Sequence, residues 1–168
     1  RFPSLDSSEI GNIAQSGIGQ SSVLATPMQM ALVAATVGND GVMMQPKLVK
    51  AIVDKDQNVV KTIDDKQLKQ VMSSDIAETI QDYMVNLVNS NLSKWPAFEG
   101  TNAGGKTGTA DYTLPDGSEA TPHSWFISVA PMDDPQIAVA VIVENGGTGS
   151  GKAATVASKV VRQAVLGY

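Results

Sequence analysis

The sequence predicts an α+β fold: an antiparallel sheet meander packed by helices, including a C-terminal helix. Three observations lead there. Three strand-like stretches, Lys106–Tyr112, Ser124–Val129 and Ile137–Val143, follow one another with only turn-rich segments between them. Connections that short join antiparallel neighbours, because parallel strands need a long crossover. Helical periodicity then appears on both sides of this block, at residues 27–37, 74–88 and 152–166.

The elements follow in order. Residues up to Ser22 are rich in Ser and Gly and predict loop. Thr26 has the chemistry of an N-cap, and Pro27 suits the first helical position, where a missing N–H costs nothing. Met28, Met30, Ala31, Leu32, Ala34, Ala35 and Val37 make this helix almost wholly apolar, which predicts burial. Its methionines are packing material rather than a cofactor box. Gly38, Asn39 and Gly41 end it.

Lys47–Val53 and Asn58–Ile63, joined by DKDQ, predict a surface hairpin. A long helix is expected from Ser74 to Val88, with Ile76, Ile80, Met84, Leu87 and Val88 along one face. Residues 89–105 predict loop, with Trp95, Pro96 and Phe98 as anchors of a cover. LPDGS and Asp133-Asp134-Pro135 are the turns of the meander. The last helix, Lys152 to Leu166, is expected to turn Ala153, Val156, Val160, Val161, Ala164 and Val165 inward.

Bulk properties narrow the function. The chain has 168 residues, enough for one domain or most of one. A net charge of -5 and the lack of any Lys/Arg-rich run argue against a nucleic-acid partner. The absence of cysteine excludes disulfides, thiolate metal sites and Cys nucleophiles. The longest apolar run, Ile137 to Val143, is too short to span a membrane. The opening RFPSLDSSEIGN is neither a signal peptide nor a natural start, so a processed or excised piece of a longer chain is expected.

GTNAGGKTGTADY, residues 100–112, carries the chemistry. Gly100, Gly105, Lys106 and Thr107 satisfy the phosphate-loop pattern G-x-x-x-x-G-K-[ST]. Lys106-Thr107-Gly108 also satisfies the strand motif of enzymes that react with penicillin. A phosphate loop needs a strand entering and a helix leaving, so that N–H groups and the helix dipole face the phosphates. Here the entering NLSKWPAFEG contains Pro, and the leaving TGTADYTLPDG is a poor helix former. The strand reading fits. Lys106, Gly108 and Ala110 then point one way, Thr107, Thr109 and Asp111 the other. Small residues at Gly108 and Ala110 let another extended backbone approach.

The company of this motif is specific. IGQSSVLATPMQMALVAATVGNDGVMMQPKLV at 18–49, GGKTGTADY at 104–112, HSWFISVAP at 123–131 and IAVAVIVENGG at 137–147 occur in that order. From about Ile13 onward the chain resembles the C-terminal part of the transpeptidase domain of class B penicillin-binding proteins. That resemblance implies a partial β-lactamase/transpeptidase-like fold. Two residues depart from the family pattern: Ser21 stands where the last Gly of Gly-Gln-Gly is usual, and Thr155 where Pro is frequent. Both concern local backbone.

The family needs Ser-x-x-Lys, then Ser-x-Asn, then Lys-Thr-Gly. Neither of the first two patterns occurs here. In the family both precede the Gly-Gln turn, so residues 1–168 are expected to be the second half of a domain whose first half lies upstream. The activity implied is D,D-transpeptidation through a serine acyl-enzyme that β-lactams also form, with this chain inactive alone. The alternatives are a D,D-carboxypeptidase, a β-lactamase, or a penicillin sensor or pseudoenzyme. By resemblance, Lys106 supplies charge for the substrate carboxylate and tunes proton transfers. Thr107 and Thr109 offer hydroxyls to that carboxylate, and the Thr109 N–H is an oxyanion donor. Gly108 matters by lacking a side chain, and Ala110 continues the substrate-binding strand. No cofactor or metal is implied. The implied partners are stem peptides ending in D-Ala-D-Ala, β-lactams, the missing half of the domain and a cell-wall synthesis complex. The implied location is the outer face of the bacterial cytoplasmic membrane, with an anchor outside this chain.

Other residues have plainer readings. His123, the only histidine, lacks a Ser-His-Asp setting and is expected to be structural. Trp125 and Phe126 are expected as packing and cleft wall. GGTGSGK, 146–152, could bind an anion ahead of its helix but is expected to be a flexible loop. Asp64, Asp65, Asp133 and Asp134 are turn charges.

Overall fold

The computed structural model describes residues 1–168. Its centre is a three-stranded antiparallel meander of β5 (Gly104–Ala110), β6 (His123–Ala130) and β7 (Ile137–Val143), in the order β5-β6-β7. The other strands form two small antiparallel pairs: β1 (Val42–Met44) with β4 (Gln67–Gln70), and β2 (Ala51–Val53) with β3 (Val59–Thr62). Four helices complete the chain: α1 (Ile10–Ser16), α2 (Pro27–Gly38), α3 (Ser74–Asn89) and α4 (Lys152–Leu166).

The register of the meander assigns its faces. Thr107 pairs with Phe126, and Thr109 with Ser124. Directly opposed residues share a face, so these four side chains lie together. The Ser124 hydroxyl donates to the Thr148 carbonyl at 2.8 Å and accepts from the Ala153 N–H at 3.1 Å, which places α4 on that face. Lys106, Gly108, Trp125 and Ile127 project from the other face. So does Val129, against which Gly38 at the end of α2 is packed. α3 runs against β5.

The core lies between the sheet and α4. Trp95, Phe98 and Phe126 meet there at ring-centroid distances of 5.3 to 6.3 Å. Val88, Ala103, Ala153, Ala154, Ala157 and Val161 fill around them. Trp95 and Phe98, expected in a covering loop, are therefore core residues; the short 3-10 turn Pro96–Phe98 delivers Phe98. The indole N–H of Trp95 donates to the Ser150 carbonyl at 2.9 Å, so burying it leaves no orphan donor.

Several expectations are corrected. Residues 10–16 form α1 rather than loop. α2 has the expected Thr26 cap, a full capping box with Gln29 and Pro27 at its start. It is not buried all round: only Ala34, Thr36 and Val37 are buried, while Met28 and Val33 are exposed, because the sheet covers one side alone. The hairpin exists but is shorter than expected, and polar β4 was not legible as a strand. In α3, Ala77 is buried and Ile76 exposed. In α4, Val156, Val160 and Ala164 face solvent, while Ala154, Ala157 and Ser158 join Ala153 and Val161 inward. Small side chains let the helix lie close to the sheet, and that proximity outweighs the larger valines. The strand expected at Lys106–Tyr112 is shifted to Gly104–Ala110.

Candidate active site along the free edge of β5

β5 is an edge strand, and its free edge can be assigned from its hydrogen bonds. The Thr109 carbonyl accepts from the Gln20 side-chain amide at 3.0 Å, and the Thr107 carbonyl accepts from Lys106 Nζ at 2.9 Å. Both carbonyls therefore point away from β6. In an antiparallel ladder the N–H and C=O of one residue point to the same side, so the N–H groups of Thr107 and Thr109 also face outward. The alternate residues Lys106, Gly108 and Ala110 spend their backbone groups on β6. The pentapeptide Lys106–Ala110 is thus extended, with two outward amides, and no helix follows it. Phosphate-loop geometry is absent.

Two backbone features position this edge. Glycines at 104 and 105 let β5 pass close to its neighbours: a Cβ on Gly104 would meet Met132 and Met84, and one on Gly105 would meet the Phe126 ring. The loop 146–151 crosses over β5. Its Gly149 N–H donates to Thr109 Oγ1 at 3.1 Å, and a Cβ on Gly149 would lie 2.3 Å from the Gly108 carbonyl oxygen. This loop was expected to be flexible. Instead it is tied to Ser124, Trp95, Thr109 and, through Gly147, to the Pro122 carbonyl.

A cleft of about 450 Å³ opens beside the strand. Lys106 to Ala110 form one side, Trp125 and Ile127 contribute the wall, and Ile18, Leu24 and Met30 face them. Phe126 is fully buried, so of the two aromatics Trp125 is the more exposed wall residue. No serine lines the cleft; Thr107 and Thr109 border it along their strand. Lys106 is exposed and provides its cation.

His123 sits at one end in a structural network. Its ring stacks on Tyr112 at 4.5 Å, and its Nδ1 accepts from the Asn145 N–H at 3.1 Å. The Tyr112 hydroxyl donates to Asn145 Oδ1 at 2.6 Å. The carboxyl groups held below their ordinary range lie outside the cleft: Asp6, Glu9, Asp54 and Asp116 are held there chiefly by local hydrogen bonds at the surface, and Asp65 by the hydrogen bond and charge of Lys47.

The sequence reading singled out neither Gln20 nor Gly149. Gln20 is presented by a turn in which Gly19 and Ser21 both have left-handed backbone, with φ of 79° and 62°. That is the physical sense of a Gly-Gln-Gly pattern, and Ser21 adopts the strained conformation without glycine's freedom.

Comparison with known proteins decides the family. Residues 4–163 match the family model of the penicillin binding protein transpeptidase domain. The chain belongs to this family. It is 39% identical over 145 residues to the peptidoglycan D,D-transpeptidase PbpA of Mycolicibacterium smegmatis, covering 86% of this chain and 28% of that protein. The D,D-transpeptidase MrdA of Haemophilus influenzae is 34% identical over 167 residues, with 90% and 25% covered. Penicillin-binding protein A of Mycobacterium tuberculosis, solved as a ceftriaxone acyl-enzyme complex, superposes with a TM-score of 0.81 at 33% identity, over 91% of this chain and 35% of that one. The chain thus spans about a quarter to a third of the length of the relatives it matches. The α+β architecture expected of a transpeptidase domain is the one observed.

Proposed function

We propose that this chain is the C-terminal half of a D,D-transpeptidase domain that crosslinks peptidoglycan stem peptides and is acylated by β-lactams. The observation that carries the reading is the free edge of β5. Two outward N–H groups, of Thr107 and Thr109, stand beside an exposed ammonium, Lys106, along an open cleft.

The chemistry needs a nucleophile from outside this chain. A serine from an upstream Ser-x-x-Lys segment attacks the carbonyl of the penultimate D-Ala. An O–C bond forms, the C–N bond to the terminal D-Ala breaks, and the serine's proton reaches the leaving amine. The amine of a second stem peptide then attacks the ester, releasing the serine and closing the crosslink. The Thr109 N–H donates to the oxyanion of each tetrahedral intermediate, with the serine's own N–H as second donor. Removing one such donor typically slows catalysis by about 10²–10³. Lys106, with the Thr107 and Thr109 hydroxyls, holds the terminal carboxylate. The Thr109 oxygen already accepts from Gly149 and keeps its own proton to donate. Gly108 and Ala110 leave room for the substrate backbone. The substrate places the domain outside the cytoplasmic membrane, where its partners are the upstream half and the cell-wall synthesis machinery.

The test is intact mass after exposure to penicillin G. The parent protein, with both halves of the domain, gains one acyl adduct, and this chain alone gains none. A stable adduct on the isolated chain would overturn the reading. Incubating the parent with a D-Ala-D-Ala peptide and an acceptor amine separates crosslinking from hydrolysis, the outcome for a carboxypeptidase. Hydrolysis of penicillin with turnover would mark a β-lactamase, and no acylation of the parent a pseudoenzyme.

A further inference from the structure

An unpaired strand edge normally offers donors and acceptors alternately, which makes it a template for any extended peptide. The edge of β5 does not. Lys106 Nζ occupies the Thr107 carbonyl at 2.9 Å, and Gln20 Nε2 occupies the Thr109 carbonyl at 3.0 Å. What remains is the pair of outward N–H groups. The edge therefore presents free donors beside acceptors that are already engaged, which favours incoming groups that accept, such as a carboxylate or an oxyanion.

Gln20 reaches this position from 89 residues away in the chain. Its amide nitrogen also donates to Asp111 Oδ2 at 3.2 Å, so two acceptors hold it across the end of the strand. A glutamine carboxamide is the chemical equivalent of a peptide amide. Its N–H stands where the amide N–H of an incoming extended substrate would stand, since a strand adding to β5 takes the C=O of Thr109 along with its N–H. A cavity of about 500 Å³ lies next to Gln20, lined also by Gln15, Ile18, Ser21, Asp111 and Tyr112. It gives the side chain room to swing aside.

We infer that Gln20 gates the acceptor position at Thr109: it mimics the substrate's amide in the empty site and must be displaced by any acyl donor that brings its own amide N–H. The inference rests on the proposed acyl-transfer reading of the same edge. Gln20 is then a specificity-determining residue, not a catalytic one, because it acts by competition and touches none of the reacting atoms.

The experiment compares two β-lactams in the parent protein. Penicillin G carries an acylamino N–H beside its ring; imipenem carries a hydroxyethyl group there and no amide. Acylation rate constants for both are measured on the wild type, Gln20→Ala and Gln20→Glu. Both substitutions remove the competing donor, so each raises the penicillin G to imipenem rate ratio, by about fivefold if one ordinary hydrogen bond is at stake. The ratio is taken within each variant, so a partly folded preparation does not distort it. A ratio unchanged or lowered in both variants overturns the gate, because a purely structural role moves both rates together. Failure of the wild type to react with either compound overturns the acyl-transfer reading itself, and the gate with it.

Discussion

Gly149 lies against Gly108 with no space for a side chain between the two backbones: a Cβ on Gly149 would sit 2.3 Å from the Gly108 carbonyl oxygen and 2.6 Å from its nitrogen. The contact locks the loop that opens α4 onto the middle of β5. Gly149→Ala forces loop and strand apart and breaks the Gly149–Thr109 hydrogen bond. The expected loss of stability is about 1–3 kcal/mol. Chemical denaturation measures it, and an unchanged midpoint would show that the loop is not seated on the strand.

Lys106 is exposed and donates to no residue but its neighbour Thr107. Its removal should leave stability nearly unaltered and still impair the proposed chemistry. In the parent protein, Lys106→Ala is expected to slow penicillin acylation by about 10² or more, with a melting temperature within a degree or two of wild type. A fast-reacting variant would remove Lys106 from the site.

Ser21 holds φ at 62°. The left-handed region costs a residue with a Cβ about 1–2 kcal/mol, and glycine's extra chain entropy takes back about 0.5–1 kcal/mol. Ser21→Gly is therefore expected to stabilise the turn by roughly 0.5–1 kcal/mol, read as a rise in the unfolding midpoint. Ser21→Ala, which keeps the strain, should give no such rise.

The turn of the β2–β3 hairpin responds to acid. Asp54 accepts from the Asn58 side-chain amide, then from the Asn58 N–H and the Asp56 N–H, and these bonds hold its carboxyl below the ordinary value. A depressed folded-state value means support that is present above the unfolded pKa and lost as pH falls through the folded one. The amide signals of residues 54–58 should shift toward random-coil positions over that acidic interval. In Asp54→Asn, which has no charge to lose there, the transition should vanish.

Much of the sheet could be read from local chemistry. Ile137–Val143 is a run of β-branched and small apolar residues, and it forms β7 with those bounds. Thr26 and Pro27 predicted where α2 starts, since capping involves only neighbours in the chain. α4 has the predicted ends and only part of the predicted face: Ala153 and Val161 are buried as expected, Val156, Val160 and Ala164 are not. Periodicity counts Val156 and Val160 as inward because they are large and apolar. The sheet instead selects Ala154 and Ala157, beside the expected Ala153, because their size allows close approach.

The sequence by itself determined that Lys106–Ala110 would be extended, because Gly108 and the threonines oppose a helix and the flanks cannot build a phosphate loop. It also supplied the motif order that points to the family. Only the tertiary structure decided which backbone groups of that strand remain free. Gln20 and Gly149 reach β5 from 89 and 40 residues away, and contacts at such separations are set by how the layers pack, not by any local propensity.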